Sequence, residues 1–400
     1  MPTEHLNKLT SIVPAARLSR LPAYIFVRLD ELKQKARESG LDLIDLGLGN
    51  PDQPTPEPIV TALAKAAHDQ SVHGYPPFDG RPELKAKIAE WMHRRYAVNI
   101  DPTTESLPLP GSKEGLAHLA LAYLDKDDIA LVPSPCYPVH LRGPVLAGAT
   151  VYEVPLSKEE FLPAFDAIPH EVASQAKMLI INYPNNPTGA TAPANLLQEA
   201  VEFCRKHGIL LVHDFAYGEL YFGKCRPKSI LEFPGAKEIA VEFHTFSKTF
   251  NMAGWRVGFA VGNADVIKTL YALKTNIDYG VFGAVQKAAI AALELSDNEI
   301  EKIRNTYRTR RDLLVEGLRA MGWQVRIPEA SMYIWLHLPR SLGMLSTEFA
   351  EKLLTTAGVV VTPGAAFGRA GEEYVRISMV ADEERLQEAL ERWRHTGLVP

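Results

Sequence analysis

The 400-residue sequence predicts an α/β protein with a mostly parallel central sheet covered by helices, plus a smaller α+β domain. Three observations carry that expectation. From about Leu84 to Leu295, short apolar runs alternate with amphipathic stretches. Polar clusters fall at the carboxyl ends of several of those runs. After Leu295 the texture changes to a long charged helix followed by mixed strands and helices.

The elements follow in order. IALVPSP reads as a strand, then come an amphipathic stretch to Ala149, the strands TVYEVPL and KMLIINYP, and a helix from Asn195. That helix ends in Lys206, His207 and Gly208, with cations in its last turn and a glycine where a left-handed residue stops it. ILLVHDF, EIAVEFHTF and VGFAVGN complete the strands of this region, whose near-continuous apolar character is that of strands buried on both faces. Beyond it lie the helix NEIEKIRNTYRTRRDLLVEGLRAMG, the runs WQVRIP and MYIWLHLP, a helix STEFAEKLLTTAG, the strands VVVTPG and YVRISMV, and a final helix from Ala381. The expected division is an N-terminal arm and part of the small domain over 1–57, a large domain over 58–295, and a C-terminal α+β domain over 296–400.

Composition narrows the function classes. Hydrophobic residues at 46%, charged residues at 23% and a net charge of −5 give no electrostatic case for a nucleic-acid partner. Cys136, Cys204 and Cys225 form an odd set without CxxC spacing, against a disulfide framework or a zinc site and in favour of the cytoplasm. Neither a signal peptide nor a membrane span is expected. No Walker A or GxGxxG sequence follows a strand, and His213-Asp214 lacks the further histidines of a metal site.

In an open parallel sheet, ligands bind beyond the carboxyl ends of the strands. There KMLIINYP runs into NNPTG with Asn186, ILLVHDF ends in Asp214 with Tyr217 after it, and EIAVEFHTF leads to Thr245, Ser247, Lys248 and Arg256. Three such clusters on neighbouring strands surround a common pocket with an amide, a carboxylate, a phenol and an amine. GSKEGLAHLALAYL adds Ser112 and Lys113 at a helix start suited to phosphate, although Ser112 is also an ordinary cap.

NNPTG, HDFAY, SKTFNMAGWRVG and YVRIS, in that order, resemble the class I and II aminotransferases of fold type I, which depend on pyridoxal 5′-phosphate. The resemblance runs from LGLGNPD to YVRIS. It implies that Lys248 carries the cofactor as an internal aldimine and then shuttles the substrate proton, that Asp214 pairs with the pyridine nitrogen, and that Asn186 and Tyr217 bond the phenolic oxygen. Tyr137 would stack on the ring, and Ser112, Lys113, Thr245, Ser247 and Arg256 would hold the phosphate. Tyr75 in HGYPPFDG matches a tyrosine that reaches the neighbouring subunit's phosphate, implying a homodimer with shared sites; GYPP read alone is also a plain turn. Arg376 corresponds to the fork for the substrate α-carboxylate, and Gly49 would bring a backbone amide close to it. Tyr24 and Asn276 resemble substrate contacts of the LL-diaminopimelate aminotransferases.

The expected activity is amino transfer between an L-amino acid of the LL-diaminopimelate, alanine or aspartate type and a 2-oxo acid such as 2-oxoglutarate, by a ping-pong mechanism. A β-C–S lyase on the same fold is the alternative. A non-catalytic regulator would need an added DNA-binding unit, for which there is no room before residue 20.

Overall fold

The computed structural model describes residues 15–21 and 25–400, the side chains of 25–27 excepted, so Tyr24 lies outside the described residues. Its strands in chain order are β1 (Ile44–Asp45), β2 (Ser106–Leu109), β3 (Ile129–Ser134), β4 (Thr150–Pro155), β5 (Ala176–Ile181) and β6 (Leu210–Asp214). They continue with β7 (Ala240–Thr245), β8 (Gly258–Gly262), β9 (Tyr333–His337), β10 (Val359–Val360), β11 (Thr362–Pro363) and β12 (Tyr374–Ser378).

Seven strands form the main sheet in the order β2-β8-β7-β6-β5-β3-β4. From β7 to β4 they run parallel, whereas β8 is antiparallel to both of its neighbours. Successive residues of β5 serve opposite faces: Met178 and Ile180 pack with the helices Ser112–Tyr123 and Ala264–Lys274, while Leu179 and Ile181 join the core under Pro82–Tyr96 and Ala194–His207. Burial on both faces is why these strands read as apolar runs instead of alternating ones.

A second core forms around the antiparallel sheet β11-β12-β9 and the helices Asp297–Ala320, Ser346–Ala357 and Glu383–Arg394. The N-terminal segment joins this part. β1 pairs in parallel with β10, and Leu29 and Ala36 of the helix Ile25–Glu38 pack on Leu354 and Val360.

The structure corrects the expected elements in three places. WQVRIP is not a strand: Trp323 and Val325 are buried and Gln324 and Arg326 exposed, but the alternation comes from an unpaired extended segment lying on helices, with Trp323 edge-on to Phe349 and Trp393. VVVTPG divides between two sheets, its first half pairing with β1 and its second with β12. SLPL, not expected to be a strand, is β2 at the sheet edge, where the missing amide of Pro108 is tolerated.

Behind the carboxyl ends of β6 and β7 lies a closed polar network. Glu242 is fully buried and accepts from His213 Nδ1 (2.8 Å), His244 Nε2 (2.8 Å), Ser229 Oγ (2.8 Å) and the Ile230 amide (2.8 Å). His213 thus serves packing and hydrogen bonding, its other nitrogen donating to the Tyr183 carbonyl at 3.0 Å. Burial disfavours the Glu242 carboxylate, but the hydrogen bonds and charge of the two histidines outweigh it and bring its pKa down to about 2. A depressed carboxyl pKa contributes stability that is present above the unfolded value of about 4.3 and is lost as pH falls toward the folded value. Glu242→Gln is therefore expected to lower stability by about 3 kcal/mol at pH 7. Urea midpoints at pH 7 and at pH 3.5 check this: the gap from the unsubstituted protein narrows at the lower pH.

Candidate active site

At the carboxyl edge of the parallel strands is a cavity of about 360 Å³. Its wall includes Gly49, Ser112, Lys113, Tyr137, Asn186, Asp214, Tyr217, Thr245, Ser247, Lys248, Arg256 and Arg376, which the sequence singled out. Asp30, Asn182, Tyr333 and Phe367 also line it.

Asp214 ends β6. Its Oδ2 accepts from His140 Nε2 at 2.9 Å, and its Oδ1 is buried with no partner. A buried carboxylate oxygen left bare is costly unless a donor meets it. The adjoining β5 ends in a turn braced by its own asparagines. Asn182 donates to the Asp214 carbonyl at 2.7 Å and accepts the Asn186 amide at 2.9 Å, and Asn185 accepts from Thr188 Oγ1 at 2.8 Å. These bonds present the Asn186 side chain to the cavity.

β7 passes directly into the short helix Phe246–Thr249, with Thr245 Oγ1 capping the Ser247 amide at 3.2 Å. Lys248 emerges at the cavity floor and donates to the Gly49 carbonyl. Desolvation, followed by the charges of Arg376 and Arg256, lowers its pKa to about 7.

Opposite, the helix Ser112–Tyr123 starts at Gly111 with no side chain capping its first amides. Gly111 has φ 92°, and a Cβ there would come within 2.4 Å of Arg256 Nη2. The glycine is thus required both by its backbone angle and by the guanidinium beside it. Lys113 is pushed below the usual lysine range by burial and by the charges of Arg142 and Arg256. Free helix-start amides with clustered cations make a receptor for a doubly charged anion.

Arg376, buried on β12, donates to Asn186 Oδ1 (2.9 Å) and to the Gly47 carbonyl (2.6 Å), while its Nε is buried without a partner. Its guanidinium lies over the rings of Tyr333 and Phe367, 4.1 and 4.7 Å from their centroids. Tyr333 shares a 2.9 Å hydrogen bond with Tyr217, whose phenol is pushed well above its ordinary pKa by burial and by Tyr333. A Cβ on Gly49 would fall 1.9 Å from Tyr333 Oη, so the loop can approach only as glycine.

The model of the family described as aminotransferase class I and II matches residues 42–392. The chain belongs to this family. Among similar proteins are an LL-diaminopimelate aminotransferase of Syntrophobacter fumaroxidans, 47% identical over 96% of this chain and 99% of the relative, and one of Aquifex aeolicus, 46% identical over 96% and 98%. Solved structures include substrate-bound BacF from Bacillus subtilis, with TM-score 0.93 and 41% identity over 96% of this chain and 97% of that one. A Thermus thermophilus aspartate aminotransferase mutant superposes with TM-score 0.89 and 31% identity over 96% and 99%.

This aminotransferase depends on pyridoxal 5′-phosphate, and the residues present fit that group. The bare Asp214 oxygen suits a protonated ring nitrogen, the cation cluster suits a phosphate, and Lys248 is an amine of the right basicity to meet an aldehyde.

Two residues singled out in the sequence do not line the cavity of their own chain. Tyr75 is 82% exposed and stacks on Tyr279, with ring centroids 4.3 Å apart. Asn276 is exposed and bonds the Ala272 carbonyl at 2.9 Å. The sequence reading also missed His140 and Tyr333. His140 stands in the first turn of the helix that Tyr137 caps, and that spacing was a readable signal; Tyr333 lies in an apolar strand pattern that carried none.

With a pKa near 7 the Lys248 amine is about half neutral at pH 7, and its neutral fraction rises with pH. In cofactor-free protein, trinitrobenzenesulfonate modification of Lys248, followed by peptide mass spectrometry between pH 5.5 and 9.5, is expected to accelerate with a midpoint near 7. An amine of ordinary lysine basicity, with a pKa of about 10.4, accelerates across that whole range and shows no midpoint within it.

Proposed function

We propose that this enzyme moves the amino group of LL-diaminopimelate to 2-oxoglutarate, in a ping-pong sequence of two half-reactions at one pocket. The observation that carries the chemistry is the convergence of a near-neutral amine, a half-satisfied carboxylate and an anion receptor on one cavity. The relatives named as LL-diaminopimelate aminotransferases support the choice of donor, and they give the lyase alternative no support.

Pyridoxal 5′-phosphate, when bound, supplies an aldehyde to carry the amino group and a ring that takes up the electrons left when the substrate Cα loses its proton. Lys248 Nζ is the amine that would hold that aldehyde, and once free it would be the base placed to take up and return the substrate Cα proton. Asp214 Oδ1 would hold a proton on the ring nitrogen, while His140 fixes the other oxygen so that the carboxylate cannot turn aside. Ser112, Lys113, Thr245, Ser247 and Arg256 would hold the phosphate, and Tyr137 would pack against the ring. Asn186 and Tyr217 would bond the ring's phenolic oxygen, with Tyr333 orienting the Tyr217 hydroxyl. Arg376 receives the α-carboxylate in the groove beside Gly49, held in plane by Asn186, Gly47 and the ring beneath it.

A homodimer with shared sites is part of this proposal. Tyr75, Ile277, Tyr279 and Phe282 form an exposed apolar group beside Asn276, which supports Tyr75 and Asn276 serving a partner's pocket. We also take 58–295 as the large domain, 296–400 as the small one and 1–57 as an N-terminal arm and part of the small domain, supported by the pairing of β1 with β10. The unpaired state of Cys136, Cys204 and Cys225 supports a reducing cytoplasm. Among the described residues no helix is long and apolar enough to cross a membrane.

Glutamate formation from 2-oxoglutarate with LL-diaminopimelate, alanine or aspartate as donor tests the reading; the diamino acid is expected to give the highest kcat/KM. Absence of glutamate with every donor, together with pyruvate released from cystathionine, would turn the assignment to the lyase. The purified enzyme is expected to be yellow and to be bleached by borohydride with a covalent adduct on Lys248. Lys248→Ala should yield no adduct, and a reducible cofactor retained in that variant would refute the role of Lys248.

A further inference from the structure

We propose that Asp30, on the outer wall of the pocket, selects amino donors whose far end carries a second ammonium group. This inference rests on the diamino-donor reading above and assigns it a residue.

Among the described residues two carboxylates line the cavity, Asp214 and Asp30. Asp214 is deep and tied to His140. Asp30 stands on the helix Ile25–Glu38 and lines the cavity together with Leu48 and Asn50. The neighbouring Leu29 is 5% exposed and packs on Leu354 and Val360, which anchors this part of the helix to the small-domain core.

Among Asp30, Asp45 and Lys33 the charge balance is negative. Lys33 Nζ lies 2.5 Å from Asp30 Oδ1 and 3.1 Å from Asp45 Oδ2, so one ammonium serves two carboxylates and a full negative charge remains unbalanced. The Lys33 side chain is 7% exposed while that of Asp30 is 65% exposed, which leaves the Asp30 carboxylate accessible.

The inner end of the cavity has the opposite sign, set by Lys113, Lys248, Arg256 and Arg376. The two ends are connected through one loop: Asp45 Oδ1 accepts the Gly47 amide at 2.9 Å, and the Gly47 carbonyl accepts from Arg376 at 2.6 Å. A donor that sets one carboxylate on Arg376 and extends outward thus passes from a cationic to an anionic environment. A far end that bears an ammonium beside its carboxylate is favoured there over one that presents the carboxylate alone.

The test compares kcat/KM of the holoenzyme for LL-diaminopimelate and for L-2-aminopimelate, which lacks only the far amino group, in wild type, Asp30→Asn and Asp30→Glu. Wild type is expected to favour the diamino donor. In Asp30→Asn the ratio should fall about fivefold, the upper range for an ion pair this exposed, chiefly through KM of the diamino donor. Asp30→Glu should retain most of the ratio, and 0.5 M salt should compress it in wild type but little in Asp30→Asn. An unchanged ratio in Asp30→Asn, with wild type still favouring the diamino donor, overturns the role of Asp30 and leaves the donor reading standing. A wild type that transaminates alanine or aspartate but shows no preference between the two pimelates overturns the donor reading, and the role of Asp30 with it.

Discussion

The parallel register of β5, β6 and β7 is the constraint on which the site depends. Ile181 pairs with His213 and Asp214 with Phe243, so the three strands finish side by side, and the segments carrying Asn186, Asp214 and Lys248 leave the sheet at one edge. A slip of one residue would turn each strand's side chains to the other face and send Asp214 into a helix layer. Such a slip is opposed on both faces by the packed cores and, between β6 and β7, by the Glu242 carboxylate that accepts from His213 and His244.

The second organising feature is the loop after β1. It crosses between the two cores and touches the reactive groups with its backbone: Gly47 offers its carbonyl to Arg376 and Gly49 offers its carbonyl to Lys248. Asp52 receives both terminal nitrogens of the buried Arg310 at 2.7 and 2.8 Å, and Thr55 donates to the Asn251 carbonyl at 2.7 Å. The loop is therefore tied to the long C-terminal helix at one point and to the segment following Lys248 at another. Its glycines are consequences of this closeness, since Tyr333 occupies the space that a side chain at 49 would need. Burial of Lys248 away from water, aided by the charges of Arg376 and Arg256, keeps the amine partly neutral.

Much of this was legible in the chain because it rests on local chemistry. NNPTG is a turn whose asparagines bond their own backbone, GSKEG is a helix start, and SKTFN follows an apolar strand; each sits in a segment of a dozen residues whose form its own composition dictates. Apolar runs between amphipathic helices likewise indicate a doubly covered sheet. The misreadings came where the same local pattern serves different tertiary ends. WQVRIP alternates as a strand would, yet no strand lies beside it, and SLPL became an edge strand because Gly258–Gly262 happened to offer a partner.

From the amino-acid order came the family motifs, the strand ends and the candidate amine, carboxylate and guanidinium, since residue type and near-neighbour spacing carry that information. Assembly of distant segments supplied the rest. Asp214 is made half-satisfied by a histidine 74 positions earlier, Arg376 is held by a carbonyl 329 positions away, and Lys248 meets a carbonyl 199 positions before it. Asp30 reaches the pocket wall because its helix packs on the C-terminal core. Desolvation and summed charge, which set the basicity of Lys248, are properties of that enclosure, and no stretch of sequence contains them.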